Sequence, residues 1–291
     1  MIEVKSRSNY YKNFLRNVQN LPSIPYMMIE VTKLLDNPKT SASELGWVIS
    51  RDQGLVAKIL TVANSPLYGL PRRVATIEFA IVILGFDHIK NIVIALSMIE
   101  AFKNITEKKW NRKTFWVHSL VTAAAAKRIA DDIGYPKSGE AFTAGLLHDL
   151  GISVIQRYFK DEFAGICDLV ENHPDKVGSF VEAEYEILGI THQEIGSFLA
   201  EKWNLPKILS DSMLNHHEPS KNKGDNVLSA IVHLADFMTQ KFGIGNFSWD
   251  ENYALDEGVV PILKLGNLEY LNKFIDSYET LFKHQIESLK I

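Results

Sequence analysis

"TAGLLHDLGISVIQ", residues 143–156, decides how the chain is read, because His148 and Asp149 interrupt a run that is otherwise almost wholly apolar. A carboxylate withdrawn from water without a partner costs on the order of several kcal/mol even after the protein relaxes. Asp149 therefore needs exposure, a counter-charge or a metal. Consecutive helical residues point about 100° apart, so His148 and Asp149 share one ion most easily where a helix ends. Gly151, two positions on, reads as that stop.

The flanking sequence is helical in pattern and punctuation. "TFWVHSLVTAAAAKRIADDIG" (114–134) predicts a helix whose alanines 123–126 let a neighbour approach closely, closed by Gly134. Further helices are predicted at 138–148, 151–159, 161–172, 177–189, 191–203, 206–216, 226–242 and 267–288, with 243–266 the least regular stretch. Upstream, Ser41 with Glu44 forms a capping pattern, and the apolar period over 41–65 breaks at Gly54 into two short helices. "NSPLYGLPRR" (64–73) is rich in turn formers. Its first part, with Ala63, reads as a plain turn, the alternative being a connector that packs over the second half of the chain. "FAIVILGFDHIKNIVIALSMIEAF" (79–102) is interrupted by Asp87, His88, Lys90 and Asn91 before it reaches the roughly 18 residues of a membrane span, so it predicts two buried helical segments. No period-2 strands are evident and the fold class is all-α. The polar segment 103–113 suggests a boundary, giving an N-terminal helical lobe at 1–105 and a second helical lobe at 106–291 with a C-terminal helical extension.

Composition narrows the function. Over 291 residues, 46% are hydrophobic and 23% charged, ordinary for a globular protein, and the net charge of −4 speaks against nucleic acid as the main partner. The basic run "EKKWNRK" (107–113) reads as a solvated linker. One cysteine, Cys167 in "FAGICDLV", excludes an internal disulfide framework and reads as a small core residue. With no signal-peptide pattern at the start, a cytoplasmic location is expected. No G-x-S-x-G elbow or phosphate loop is present. "DENYALDEG" (250–258) fails as a calcium loop because Ala254 stands where an oxygen ligand belongs.

What remains is a set of imidazoles and carboxylates on the apolar helices: His118, His148, Asp149, His192, His216, His217 and Asp236. Each alone is weak evidence. Together they are the side chains that hold iron, manganese, zinc or nickel, and one or two divalent ions are expected. His233 lies one turn before Asp236, so one of those two is a supporting partner or exposed. His88, His173 and His284 read as structural or solvated.

The order His118, His148-Asp149, Asp236 resembles the HD superfamily of metal-dependent phosphohydrolases. More specifically, "LPSIPYMMIEVTKLLDNP", "VISRDQGLVAKILTVANSPLYG", "TIEFAIVILGFDHIKNIV", "GLLHDLG", "THQEIGSFLAEKWNLP", "NHHEP" and "IVHLAD" resemble the HDOD family of bacterial signalling domains, from about residue 15 to about 240. The resemblance implies a two-lobed all-α fold related to the HD-GYP phosphodiesterases. It also implies that His118, His148, Asp149 and Asp236 match the ligands of one metal, and His192 with His216 or His217 those of a second. Ile152 stands where an HD-GYP enzyme has lysine, and "HHEPSKNKGDN" lacks the Gly-Tyr-Pro signature, so cyclic di-GMP hydrolysis is not expected. The expectation is a regulatory module acting through a signalling protein partner or a nucleotide-like ligand. The alternative is a metal-dependent phosphohydrolase of a nucleotide or other phosphate ester, with Asp149 bridging two ions as the catalytic carboxylate.

Overall fold

All regular structure among the described residues is helical. The structure, a computed structural model, describes residues 2–17, 26–35, 37–100, 111–173, 176–222, 224–244, 249 and 254–288. The first part comprises α1 (Ile2–Asn17), α2 (Tyr26–Leu35), α3 (Ala42–Ile49), α4 (Gln53–Ala63), α5 (Ile77–Leu84) and α6 (Phe86–Glu100). The next is α7 (Arg112–Asp132), α8 (Ser138–Leu147), α9 (Leu150–Tyr158), α10 (Lys160–Asn172), α11 (Phe180–Leu188), α12 (His192–Lys202), α13 (Lys207–Asn215) and α14 (Val227–Lys241). The last described elements are α15 (Val259–Ile262), α16 (Leu268–Ser277) and α17 (Glu279–Ser288).

Local chemistry sets most of these boundaries. Ser41 and Glu44 form the predicted capping box on α3, at 3.2 and 2.8 Å. The break before α4 falls at Asp52 and not at Gly54: the Asp52 carboxylate caps the Leu55 N–H at 2.9 Å, and Gly54 sits inside the first turn. Gly85 closes α5 with φ 85°, and α6 leaves at a bend of 118°. Only such a bent pair has the length and composition of a span; no single described helix is long and apolar enough to cross a membrane.

The predicted helix 267–288 is two helices. The chain turns at Tyr278, which is 2% exposed and donates its hydroxyl to Asp132 at 2.6 Å, and Phe282 is then brought into the core. Burying two aromatic rings on one short segment outweighs the continuity of a single amphipathic helix.

In the packing, α7 lies against α8 and α14, α12 against α9 and α13, and α6 against α8. Ile92 and Val93 of α6 share one buried cluster with Phe142 and Leu146 of α8. Leu67, 1% exposed in the 3-10 turn Pro66–Tyr68, belongs to a second cluster with α7, α14 and the C-terminal helices. The connector thus packs over the second half of the chain and is more than a plain turn. Cys167 is buried in the first cluster. The boundary expected at 103–113 lies, through residue 110, outside the described residues.

Candidate metal centre

Two close helix crossings bring the polar residues together. A β-carbon at Gly145 of α8 would lie 2.9 Å from the Ala123 Cα of α7, so only glycine against the alanine run lets these helices meet at that distance. This crossing puts the end of α8 beside His118. At Gly151 a β-carbon would lie 2.0 Å from the His192 carbonyl oxygen, which holds the start of α12 against the start of α9. The helix does end at His148-Asp149 as expected, but Gly151 is not its stop. It sits in the first turn of α9, and its function is this approach. Asp149 itself takes φ −96° and ψ 10°, between α8 and α9, in the sparsely populated bridge region.

The seven predicted residues converge. His118, His148, Asp149, His192, His216 and Asp236 are 0% exposed and His217 is 7% exposed. They form two groups whose ligand atoms lie within 4.8 Å of one another: His118, His148 and Asp236 in one, Asp149, His192, His216 and His217 in the other. Asp149 faces both. Its Oδ2 lies 3.2 Å from His148 Nε2 and 3.6 Å from His118 Nε2, while its Oδ1 lies 3.4 Å from His192 Nε2 and 3.5 Å from His216 Nε2. Asp236 Oδ1 lies 3.1 Å from His118 Nε2 and 3.6 Å from His148 Nε2. His217 Nε2 is 3.1 Å from His192 Nε2.

Residues 21–219 match the HDOD domain family. The chain belongs to the HDOD family. The crystal structure of an HDOD domain protein of unknown function from Geobacter sulfurreducens is similar over 99% of this chain and 100% of that one, with a TM-score of 0.77 at 27% identity. A Shewanella amazonensis SB2B protein, provisionally described as a phosphohydrolase, shares the fold with a TM-score of 0.71 at 23% identity, covering 95% and 97% of the two chains. In sequence, the chain is 24% identical over 238 residues to an uncharacterized protein of Treponema pallidum (strain Nichols), covering 80% of this chain and 45% of that one. It is 26% identical over 204 residues to ribonuclease Y of Mycoplasma mycoides, covering 68% and 39%. The HDOD chain spans less than half the length of these curated relatives.

In this HDOD protein three of the imidazoles are anchored from behind. His148 Nδ1 is 2.8 Å from the Gly145 carbonyl and His216 Nδ1 is 2.8 Å from the Met213 carbonyl, each donating its proton outward. That tautomer leaves the Nε2 lone pair facing the centre, as metal ligation requires. His192 Nδ1 donates at 2.9 Å to Glu184, a fully buried carboxylate that also accepts the His192 backbone N–H at 2.6 Å and the Trp249 indole N–H at 2.6 Å. Trp249 is itself stacked between Phe163 and Phe180. Neither Glu184 nor Trp249 was expected from sequence. The available signal was that Glu184 follows Phe180 and Ala183 at the i+4 and i+1 positions and precedes Leu188 by four, which puts a carboxylate on the apolar face of α11. His233 is the supporting partner of its pair: it donates from Nδ1 to the His216 carbonyl at 2.8 Å and accepts the Asp256 N–H at Nε2, also at 2.8 Å. His88 is buried, and His173 and His284 are exposed, as predicted.

The electrostatics show how much charge the HDOD centre carries. Burial pulls His216 and His217 below the ordinary histidine range, and neighbouring imidazoles add to the fall at His217. At His148 burial is outweighed by Asp149 and Asp236, and at His192 by Glu184, so both are raised. Burial likewise opposes ionisation of Asp149 and Asp236, yet the facing histidines hold both well below the carboxylate range. His148 Nε2, both Asp149 carboxylate oxygens and Asp236 Oδ1 have no well-aligned hydrogen-bond partner among the described residues. Buried polar atoms left this way carry a desolvation cost of about 1–3 kcal/mol each. The donor set fits divalent metal, with His118, His148 and Asp236 in one group, Asp149, His192, His216 and His217 in the other, and Asp149 Oδ2 also facing the first.

Proposed function

We propose that this chain is an HDOD signalling module organised around a buried, Asp149-bridged pair of divalent metal sites, and that its output is a protein contact or a ligand-dependent change of shape. The two lobes at 1–105 and 106–291 are part of this reading. The observation that supports it over hydrolysis is burial: six of the seven ligands are closed from solvent, and His217, at 7%, reaches it only slightly. A catalytic metal site keeps a coordination position open to water and substrate. Bound ions would cancel the charge of Asp149 and Asp236 and tie His118 of α7, the His148-Asp149 junction of α8 and α9, His192 of α12, His216 at the end of α13 and Asp236 of α14 to one another. Such a centre stabilises one arrangement of the helices on which a partner or ligand acts.

Phosphoester hydrolysis is the second reading, favoured by Asp149 presenting a different oxygen to each ligand group. When bound, two ions would lower the pKa of a water and stabilise a leaving oxygen. The chain's own contribution would be to hold that carboxylate between the groups and to keep the His148, His192 and His216 lone pairs directed inward. The test is metal content by elemental analysis, with turnover of bis(p-nitrophenyl) phosphate and of single-stranded RNA measured in added iron, manganese, zinc or nickel. RNA addresses the activity in the name of the Mycoplasma relative. The regulatory reading expects bound metal and no turnover above buffer. Turnover abolished by Asp149→Asn would replace it with the hydrolase, and metal-free protein that takes up no added ion would remove both.

A further inference from the structure

The connector between α4 and α5 forms one wall of a cavity of about 950 Å³, whose lining also includes Gln285 of α17. That is within the usual size of a small-molecule site. Arg72 and Arg73 lie side by side on its lining, both exposed, and neither makes an ion pair with a described residue. Two other arginines are paired: Arg51 with Glu30 at 2.7 Å and Arg128 with Asp132 at 2.8 Å. Among the described residues no aspartate or glutamate lines the cavity, although acidic residues outnumber basic ones, 35 to 31, in the chain. Two adjacent guanidiniums without a counter-charge among the described residues make this a local positive site on an acidic protein.

The wall is held in shape before any ligand arrives. The Asn64 side chain donates to the Leu60 and Val74 carbonyls, both at 2.7 Å, and accepts the Val74 N–H at 2.8 Å, which clamps the two ends of the connector together. Ser65 donates to the Gln285 amide oxygen at 2.6 Å, a buried bond that ties the connector to α17. Leu60, Leu70 and Val74 supply an apolar surface beside the arginines. Preorganisation reduces the ordering cost of binding.

We propose that this cavity binds a phosphate-bearing small molecule of mononucleotide size, with Arg72 and Arg73 taking the phosphates and the apolar wall taking the organic part. A guanidinium presents its N–H donors in a planar fork that matches phosphate oxygens. The proposal deepens the ligand-responsive part of the regulatory reading, and it places the ligand where it touches the first lobe and the C-terminal helix together. It does not require metal.

The test is titration calorimetry with ATP as the probe, on the full chain in excess EDTA, so that the state of the metal centre does not enter. Wild type is expected to bind, inorganic pyrophosphate to compete, and adenosine to compete more weakly. Arg72→Ala with Arg73→Ala should weaken ATP binding at least tenfold, the lysine pair should recover part of it, and Arg51→Ala should leave it unchanged. Both arginines are exposed, and unchanged helical circular dichroism checks that the variants fold. Equal binding by the double alanine variant overturns the proposal, as does absence of both ATP and pyrophosphate binding by wild type. Loss of binding in Asp149→Asn but not in the arginine variants would move the ligand to the metal centre. Binding of duplex DNA tighter than ATP would replace the small molecule with nucleic acid.

Discussion

Gly151 and His192 are packed so that a methyl group on the first would stand 2.0 Å from the carbonyl oxygen of the second. The Gly151 amide is also near Gly196, and the atoms concerned are backbone, so nothing flexible can give way. Gly151→Ala is expected to cost about 1–3 kcal/mol by overpacking. It should also draw His192 away from Asp149, weakening the second ligand group before the first. Denaturant unfolding together with metal titration reads both effects. An alanine variant with wild-type stability and full metal content would mean that the crossing is looser than described.

Glu184→Gln keeps the shape of the side chain and removes the carboxylate that orients His192. Second-sphere partners of this kind are worth about 10–100-fold in metal affinity. A loss in that range, confined to one of the ions and with near-native helical content, is the expected result of a competition titration against a chelator. Unchanged affinity for every bound ion would separate Glu184 from metal binding and leave it as a structural partner of Trp249.

If the two groups hold separate ions, they should empty separately. His118→Ala should lower the bound metal by one equivalent through the first group, and His217→Ala by one through the second. Asp149→Asn, which alters the residue facing both, should lower it by two. Inductively coupled plasma mass spectrometry after gel filtration distinguishes the three. Identical stoichiometry in all of them would refute an Asp149-bridged pair.

His88 provides a pH dependence outside the metal centre. It is 6% exposed, its Nε2 lies 2.7 Å from the Tyr68 hydroxyl, and burial, aided by Lys127, pushes its pKa down to about 3. The unfolded chain binds a proton here below pH about 6.5 while the folded protein does not, so acid favours unfolding between those values. Wild-type stability should therefore fall relative to His88→Asn as pH drops from about 6.5, by at most ~1.4 kcal/mol per pH unit. The difference should be flat above about pH 7. Urea melts of both proteins at pH 5, 6 and 7.5 measure it, and parallel curves over that range would mean that His88 is protonated in the fold.

The candidate ligands, the helical class and most helix ends were legible in the sequence because each is a local property. Ser41 with Glu44 and Gly85 act on backbone groups a few residues away, and the apolar period of each helix states which side is buried. The seven imidazoles and carboxylates stood out because such groups are rare on apolar faces. Periodicity does not say which helix covers a buried face, and that was settled only by tertiary packing. Gly151 reads as a stop by the local rule, but the approach of α12 gives it a different reason to be glycine. Glu184 meets His192, and Trp249 meets Glu184, from elements separated by turns and loops, so no spacing rule joins them. The division of Asp149's two oxygens between His148 and His192 is set by two helix crossings, at Gly145 and Gly151, where distances of a few ångströms decide the chemistry and sequence alone carries no measure of them.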